Sequence, residues 1–272
     1  MKQLIATYLN RIANILLINV GFLDNPGLYT GEMGLVVFFL RYARHTQNKL
    51  FSDCGFELMQ IVHERIHVKM PIGYKQGVTG IGSAIEHLVQ EGYIEADTDE
   101  LLCDFDNRIN SIHNLLQLSF EEILGMAYYI IWRMSGRSSK KDFFLNTQLP
   151  SIIAAIQQRL LIHGLKHPAI SALQDMIETE KTINIHDLPK IPEWNQVFSR
   201  DKPQVSKSDA REHILELVSK NDYFDHNNLN FGIENGLVGL GITLLTEIDN
   251  DHSWISLFPN ELTPLPDESL PV

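Results

Sequence analysis

The stretch Lys75-Gln-Gly-Val-Thr-Gly-Ile-Gly-Ser-Ala84 has the look of a phosphate-binding loop, with Gly77, Gly80 and Gly82 opening an apolar run. Two further stretches read the same way, Gly31-Glu-Met-Gly-Leu-Val and Gly236-Leu-Val-Gly-Leu-Gly, each followed by apolar residues. A decayed copy, Glu122-Ile-Leu-Gly-Met-Ala, keeps Gly125 and Ala127 in the small slots. Successive copies start 46, 45 and 114 residues apart, at positions 31, 77, 122 and 236. A phosphate loop occurs once per site and follows a strand. A period near 45 is instead the length of a helical hairpin, an outer amphipathic helix returning to an inner one. Each glycine in a first turn costs roughly 1 kcal/mol of helix propensity. A cost repeated this often implies that close helix packing recovers it.

Outward from these starts, helical periodicity dominates. Leu4, Ile5, Tyr8, Leu9, Ile12, Ile15 and Leu16 form one stripe; Cys54, Leu58, Ile61, Val62 and Ile66 form another. A third runs from Leu101 through Phe105, Ile109 and Ile112 to Leu116, behind a cap at Asp97 with Glu100 three residues on. Further stripes cover 143–161 and 214–218. Alternation of period two is nearly absent. The expectation is one all-α domain over 1–272, with an irregular crossing at 181–206 and a proline-rich tail at 249–272.

The chain has 272 residues, 44% of them apolar, and 34 acidic against 22 basic side chains, a net charge of −12. That balance argues against nucleic acid and anionic membranes as partners and suits a basic or neutral one. Arg11, Asn14 and Asn19 interrupt the N-terminal apolar stretch, which reads as an amphipathic helix of a cytoplasmic protein rather than a leader. Cys54 and Cys103 stand in no metal-type spacing, so no cofactor or metal is expected from them.

The glycine-led starts, Gly31/Gly34, Gly77/Gly80/Gly82, Gly125 and Gly236/Gly239/Gly241, resemble those of the lanthionine synthetase C-like family, over about residues 20–248. The resemblance implies an α/α toroid, here an arc of about five hairpins that does not complete the ring. It implies zinc held by two cysteines and a histidine in the family's cyclases, one Cys-His pair lying just before a repeat glycine. The matching positions here are Glu234-Asn235, Lys75-Gln76 and Tyr29-Thr30. What the resemblance then implies is an accessory or binding protein without zinc–thiolate chemistry. A peptide or a peptide-modifying enzyme would be its partner, and a homodimer through the exposed arc ends is a further possibility. Glu32, Gln76, Glu121, Glu234 and Asn235, all at or near inner-helix starts, are the candidate binding residues.

Two other chemistries stand beside this one. Carboxylates such as Glu32, Glu121 and Glu234 converging on one cavity would suit saccharide hydrolysis, although Ser119 and Glu122 also spell a capping box around Glu121. The run His63-Glu-Arg-Ile-His67 satisfies the zinc-protease pattern H-E-x-x-H, with Glu86 as a conceivable third ligand. Arg65 and Lys69 beside it favour a solvated face of an outer helix.

Overall fold

A computed structural model describes residues 2–136, 144, 148–162, 170, 171, 174, 177, 185–187, 229–233 and 236–258. The described residues hold nine α-helices, short 3-10 turns and no strand. The protein is all-α, as the periodicity requires. Glu234, Asn235, the stretch 214–218, nearly all of the 181–206 crossing and the tail beyond 258 lie outside the described residues.

The chain divides into two compact units, Met1–Val68 with Ile191–His252, and Lys69–Lys190 with Ser253–Val272. In the first unit, α1 spans Lys2–Asn19, α2 Glu32–Thr46, α3 Lys49–Arg65, and the late helix, here α9, Leu237–Asp249. Every residue of α2 from Glu32 to Ala43 is buried, and every residue of α9 from Leu237 to Thr246. Such all-round burial marks inner helices. By contrast α3 buries only Phe51, Gly55, Leu58 and Val62, and α1 only Ile5, Leu9, Ile12, Ala13 and Leu16. The hairpin between α2 and α3 turns on Gln47, held at φ 54°, and Asn48, whose side chain accepts from the Leu50 N–H at 3.0 Å.

The second unit repeats the alternation. Inner helices α4 (Val78–Gln90) and α7 (Phe120–Ser135) are buried on all sides over most of their length. Around them are the one-sided α5 (Thr98–Leu101), α6 (Cys103–Asn110) and α8 (Leu149–Ile162). The stripe expected to run unbroken from Leu101 to Leu116 is interrupted. It breaks at Leu102, at φ −103° and ψ 12°, and α6 ends at Asn110, so Leu116 sits in a 3-10 turn. Asp97 does cap, accepting from the N–H groups of Asp99 and Glu100 at 2.9 and 3.4 Å.

The glycines divide into two roles. Gly241 of α9 receives the ring of Phe38 from α2; a Cβ there would lie 2.5 Å from Phe38 Cε2. Gly82 of α4 receives the ring of Tyr129 from α7, where a Cβ would meet Cδ2 at 2.9 Å. Phe38 and Tyr129 each stand four residues after the glycine of their own motif, Gly34 and Gly125. Those two glycines in turn receive matching residues: Gly34 the side chain of Ile233, Gly125 the Cβ and N–H of Tyr74. The α9–α2 contact in one unit is thus the α4–α7 contact in the other, made by equivalent residues. Gly31, Gly77 and Gly236, the first glycines, pack instead against their own loops.

Both roles make the sites intolerant of a methyl group. Gly77→Ala presses a Cβ onto backbone carbonyls of residues 71 and 73. It is expected to cost more than about 2 kcal/mol of unfolding free energy despite the better helix propensity. Gly21→Ala, which meets nothing within 4 Å, should be near neutral. Urea titration of the two variants against the parent chain measures the difference.

Candidate functional site

Three inner helices begin with one loop conformation. The first helical N–H reaches back seven residues to a carbonyl: Glu32 to Asn25 at 2.8 Å, Val78 to Pro71 at 3.0 Å, Leu237 to Asn230 at 2.8 Å. This N–H is ordinarily one of the four donors a helix start leaves without a partner. The N-cap glycine is extended in all three, with φ of −123°, −117° and −129°. Its missing side chain leaves room for the returning strand of loop. Four residues before it comes another glycine, Gly27, Gly73 or Gly232, and then a fully buried apolar residue, Leu28, Tyr74 or Ile233. Asn25 and Asn230 each fold their side-chain oxygen onto the N–H of that earlier glycine, at 2.8 and 2.9 Å. Pro71 replaces them in the loop before α4 and fixes φ through its ring.

Glu32 opens α2 and is 2% exposed. Its Oε1 lies 2.7 Å from Arg65 Nη1 at the end of α3, and Arg65 also donates to the Leu23 carbonyl at 3.2 Å. Burial raises the Glu32 carboxyl above its ordinary range, and Arg65 opposes that shift. Glu32 is therefore the acid that joins the ends of α2 and α3.

Glu121 acts on the loop before α4. Its Oε1 accepts from the Lys75 N–H at 3.1 Å, and a Cβ at Gly73 would lie 2.6 Å from its Oε2. The comparable support in the first unit is made by backbone, the Ile233 N–H donating to the Tyr29 carbonyl at 2.7 Å. The decayed copy that opens α7 has no glycine loop of its own, so a carboxylate takes that place. Its helix start uses the predicted capping box instead, Glu122 Oε2 accepting from the Ser119 N–H at 2.8 Å. The structure thus brings Glu121 to the loop that carries the exposed Gln76, while Glu32 belongs to the other unit. Glu234 and Asn235 lie outside the described residues.

The run His63–His67 does not form a zinc-binding face. Helix α3 stops at Arg65, and its C-cap Ile66 is extended at φ −69°, ψ 120°. His67 has left the helix, so the two histidines lose their i, i+4 alignment, and Glu86 is engaged elsewhere. Ser256 Oγ lies 3.2 Å from His186 Nδ1, a nucleophile–base distance, but Ser256 is buried on a 3-10 turn and outside the cleft described next.

The densest charge cluster among the described residues centres on Arg133, which no local sequence pattern announces. Arg133 of α7 is wholly buried and bonds to three carboxylates. Glu86 of α4 meets Nη1; Asp99 meets Nη2 at 2.6 Å; Asp106 takes Nε and Nη2 at 3.2 and 2.9 Å. Thr98 Oγ1 and the Tyr129 hydroxyl complete the cluster, the latter donating to Asp106 at 2.6 Å. Burial, with the Asp106 carboxylate beside it, pushes the Tyr129 hydroxyl well above its ordinary pKa. One guanidinium for three carboxylates leaves the cluster net negative. The signal was scattered over four elements with no common period, so no local pattern announced it.

Against this cluster lies a cleft of about 810 Å³, lined on its polar side by Glu86, Gln90, Glu95, Asp97, Thr98 and Asp99 and on its apolar side by Val89, Ile94 and Ala96. Glu95 and Asp97 are exposed, and Glu86 and Asp99 are held by Arg133. Gly136 closes over the far side of Glu86, where a Cβ would come 2.6 Å from its Oε2. Gln90 bonds both Glu86 Oε2 and the Trp132 carbonyl at 3.1 Å, fixing that wall. Such a lining attracts cations and hydrogen-bond donors.

Carbon-detected NMR titration of Glu32 checks the electrostatics of the first unit. Its midpoint should lie above 4.5, the ordinary value for a glutamate, and Arg65→Ala should raise it further because the opposing positive charge is lost. Comparison with protein-family models, with curated proteins and with solved structures finds no match for this chain.

Proposed function

We propose that this chain is a lanthionine synthetase C-like protein that binds a basic peptide segment and serves peptide modification without zinc–thiolate chemistry. The acidic cleft of the second unit carries the reading. Four carboxylates line it, one guanidinium is buried behind it, and the whole chain bears −12. A Lys/Arg-rich segment would find there both charge complementarity and acceptors already positioned by the Arg133 cluster. Kinship with the ring-forming family is supported by the three matching cap loops. It is supported also by the α9–α2 contact, which sets the last glycine-led helix beside the first through the residues that join α4 to α7. The absence of cyclase chemistry is supported by the cysteines, Cys54 within α3 and Cys103 at the start of α6, neither at a cap loop.

The saccharide reading has less to stand on. Glu32 is tied to Arg65, Glu121 to a backbone N–H and Glu122 to its own capping box. Carboxylates so engaged are poorly placed to trade protons with a substrate.

Fluorescence anisotropy with a labelled Lys/Arg-rich peptide tests the proposal. Binding should weaken steeply with added salt, and Glu95→Lys should weaken it about tenfold. An acidic peptide of equal length should not bind. Equal affinity for both peptides, or no binding of the basic one at low salt, contradicts the reading.

A further inference from the structure

The stretch of chain that closes the acidic cleft has an unpaired backbone. Helix α4 ends in a tight turn through Gly92, at φ 66°, where the N–H groups of Tyr93 and Ile94 both reach the Leu88 carbonyl, at 2.8 and 3.2 Å. Asp97, extended at φ −83° and ψ 108°, then caps α5. Between these fixed ends run Glu95 and Ala96, both exposed and outside any helix or turn. Their N–H and C=O groups bond to no described residue. The side chains of the stretch alternate: Ile94 aliphatic, Glu95 acidic, Ala96 aliphatic, Asp97 acidic, and all four line the cleft. Val89, in the last turn of α4, adds a second branched aliphatic group. The carboxyl-terminal end of α4, the negative end of its dipole, stands at the same place and favours a cation there.

An exposed extended stretch with unpaired main-chain groups is where a peptide adds as a further strand. The side chains of such a peptide fall alternately to its two faces. The cleft volume of about 810 Å³ suits a short segment. A polycation without aliphatic groups leaves Val89 and Ile94 uncovered, and one without a peptide backbone leaves Glu95 and Ala96 unpaired. We propose that the cleft binds its basic segment in extended form, hydrogen-bonded through the main chain to Glu95 and Ala96. Basic side chains on Glu95, Asp97 and Asp99 then alternate with aliphatic ones on Val89 and Ile94. This rests on the cleft being a site for a basic peptide, and it narrows the ligand from any cationic chain to one whose basic and aliphatic residues alternate.

Fluorescence anisotropy of the full chain with three labelled peptides tests it. One is the alternating Lys-Val-Lys-Val-Lys, the second the block Lys-Lys-Lys-Val-Val of identical charge and composition, the third the alternating peptide N-methylated along its main chain. The alternating peptide should bind about tenfold tighter than the block peptide, and N-methylation should weaken it about tenfold. Ile94→Thr and Val89→Thr, which keep the branched shape, should each reduce the preference for alternation to about twofold with an unchanged circular dichroism spectrum. Failure of all three peptides to bind at low salt overturns the basic-peptide reading and this proposal together. Equal affinity for the alternating and block peptides overturns this proposal alone. So does an N-methylated peptide that binds as well as its parent, or a preference that survives both threonine variants.

Discussion

One hydrogen bond sets the frame of this protein: the first N–H of an inner helix returning seven residues to a loop carbonyl. It occurs at Glu32, Val78 and Leu237. A helix start normally leaves that donor to water or to a polar side chain. Here the start is buried, water is excluded, and the N-cap residue is glycine with no side chain to offer. The loop must therefore fold back to supply its own acceptor. Everything the loop contains follows from that need. A glycine stands at the cap because its Cβ would strike the returning carbonyl, a second glycine lets the loop turn beneath it, and a buried apolar residue pins the loop to the core.

The pinned residue is also the link to the next helix. Ile233 fills the space left by Gly34, and Tyr74 the space left by Gly125. Four residues further on, Phe38 and Tyr129 return the contact onto Gly241 and Gly82. Loop, cap and helix contact thus form one unit of construction, used once in each half of the chain. The buried ion clusters close the same pairs at their other ends. Arg41 of α2 reaches Asp249 and the Asp251 carbonyl at the end of α9, at 3.3 and 3.1 Å, while Arg133 of α7 gathers acids from α4, α5 and α6. A buried pair of this kind stabilises little by itself, but losing one partner leaves a charge stranded.

The division into inner and outer helices was legible in the sequence, because period 3.6 and glycine spacing are local properties. So was the Ser119–Glu122 capping box. The cap loop was only half legible. Reading forward from Gly31, Gly77 and Gly236 found the helix, whereas the glycine four residues earlier and the apolar residue after it were in plain view and unread. Helix ends were harder. The His63–His67 run looked helical throughout, yet α3 stops at Arg65, where Arg65 turns to the Glu32 carboxylate and the Leu23 carbonyl. The acidic cleft was invisible, since Glu86, Glu95, Asp99 and Arg133 become neighbours only after α4 and α7 have packed through Gly82 and Tyr129. Glu32 and Glu121 stand at helix starts, but one ties the start of α2 to Arg65 at the end of α3 and the other supports the loop before α4.

Native-state hydrogen exchange measures the central bond directly. The amides of Glu32, Val78 and Leu237 should be protected like those in the middle of their helices, while that of Lys49, which opens α3 at the surface without such a loop, exchanges rapidly. Fast exchange at Glu32, Val78 and Leu237 would mean that the returning loops do not carry these helix starts, and the equivalence of the three would be lost with them.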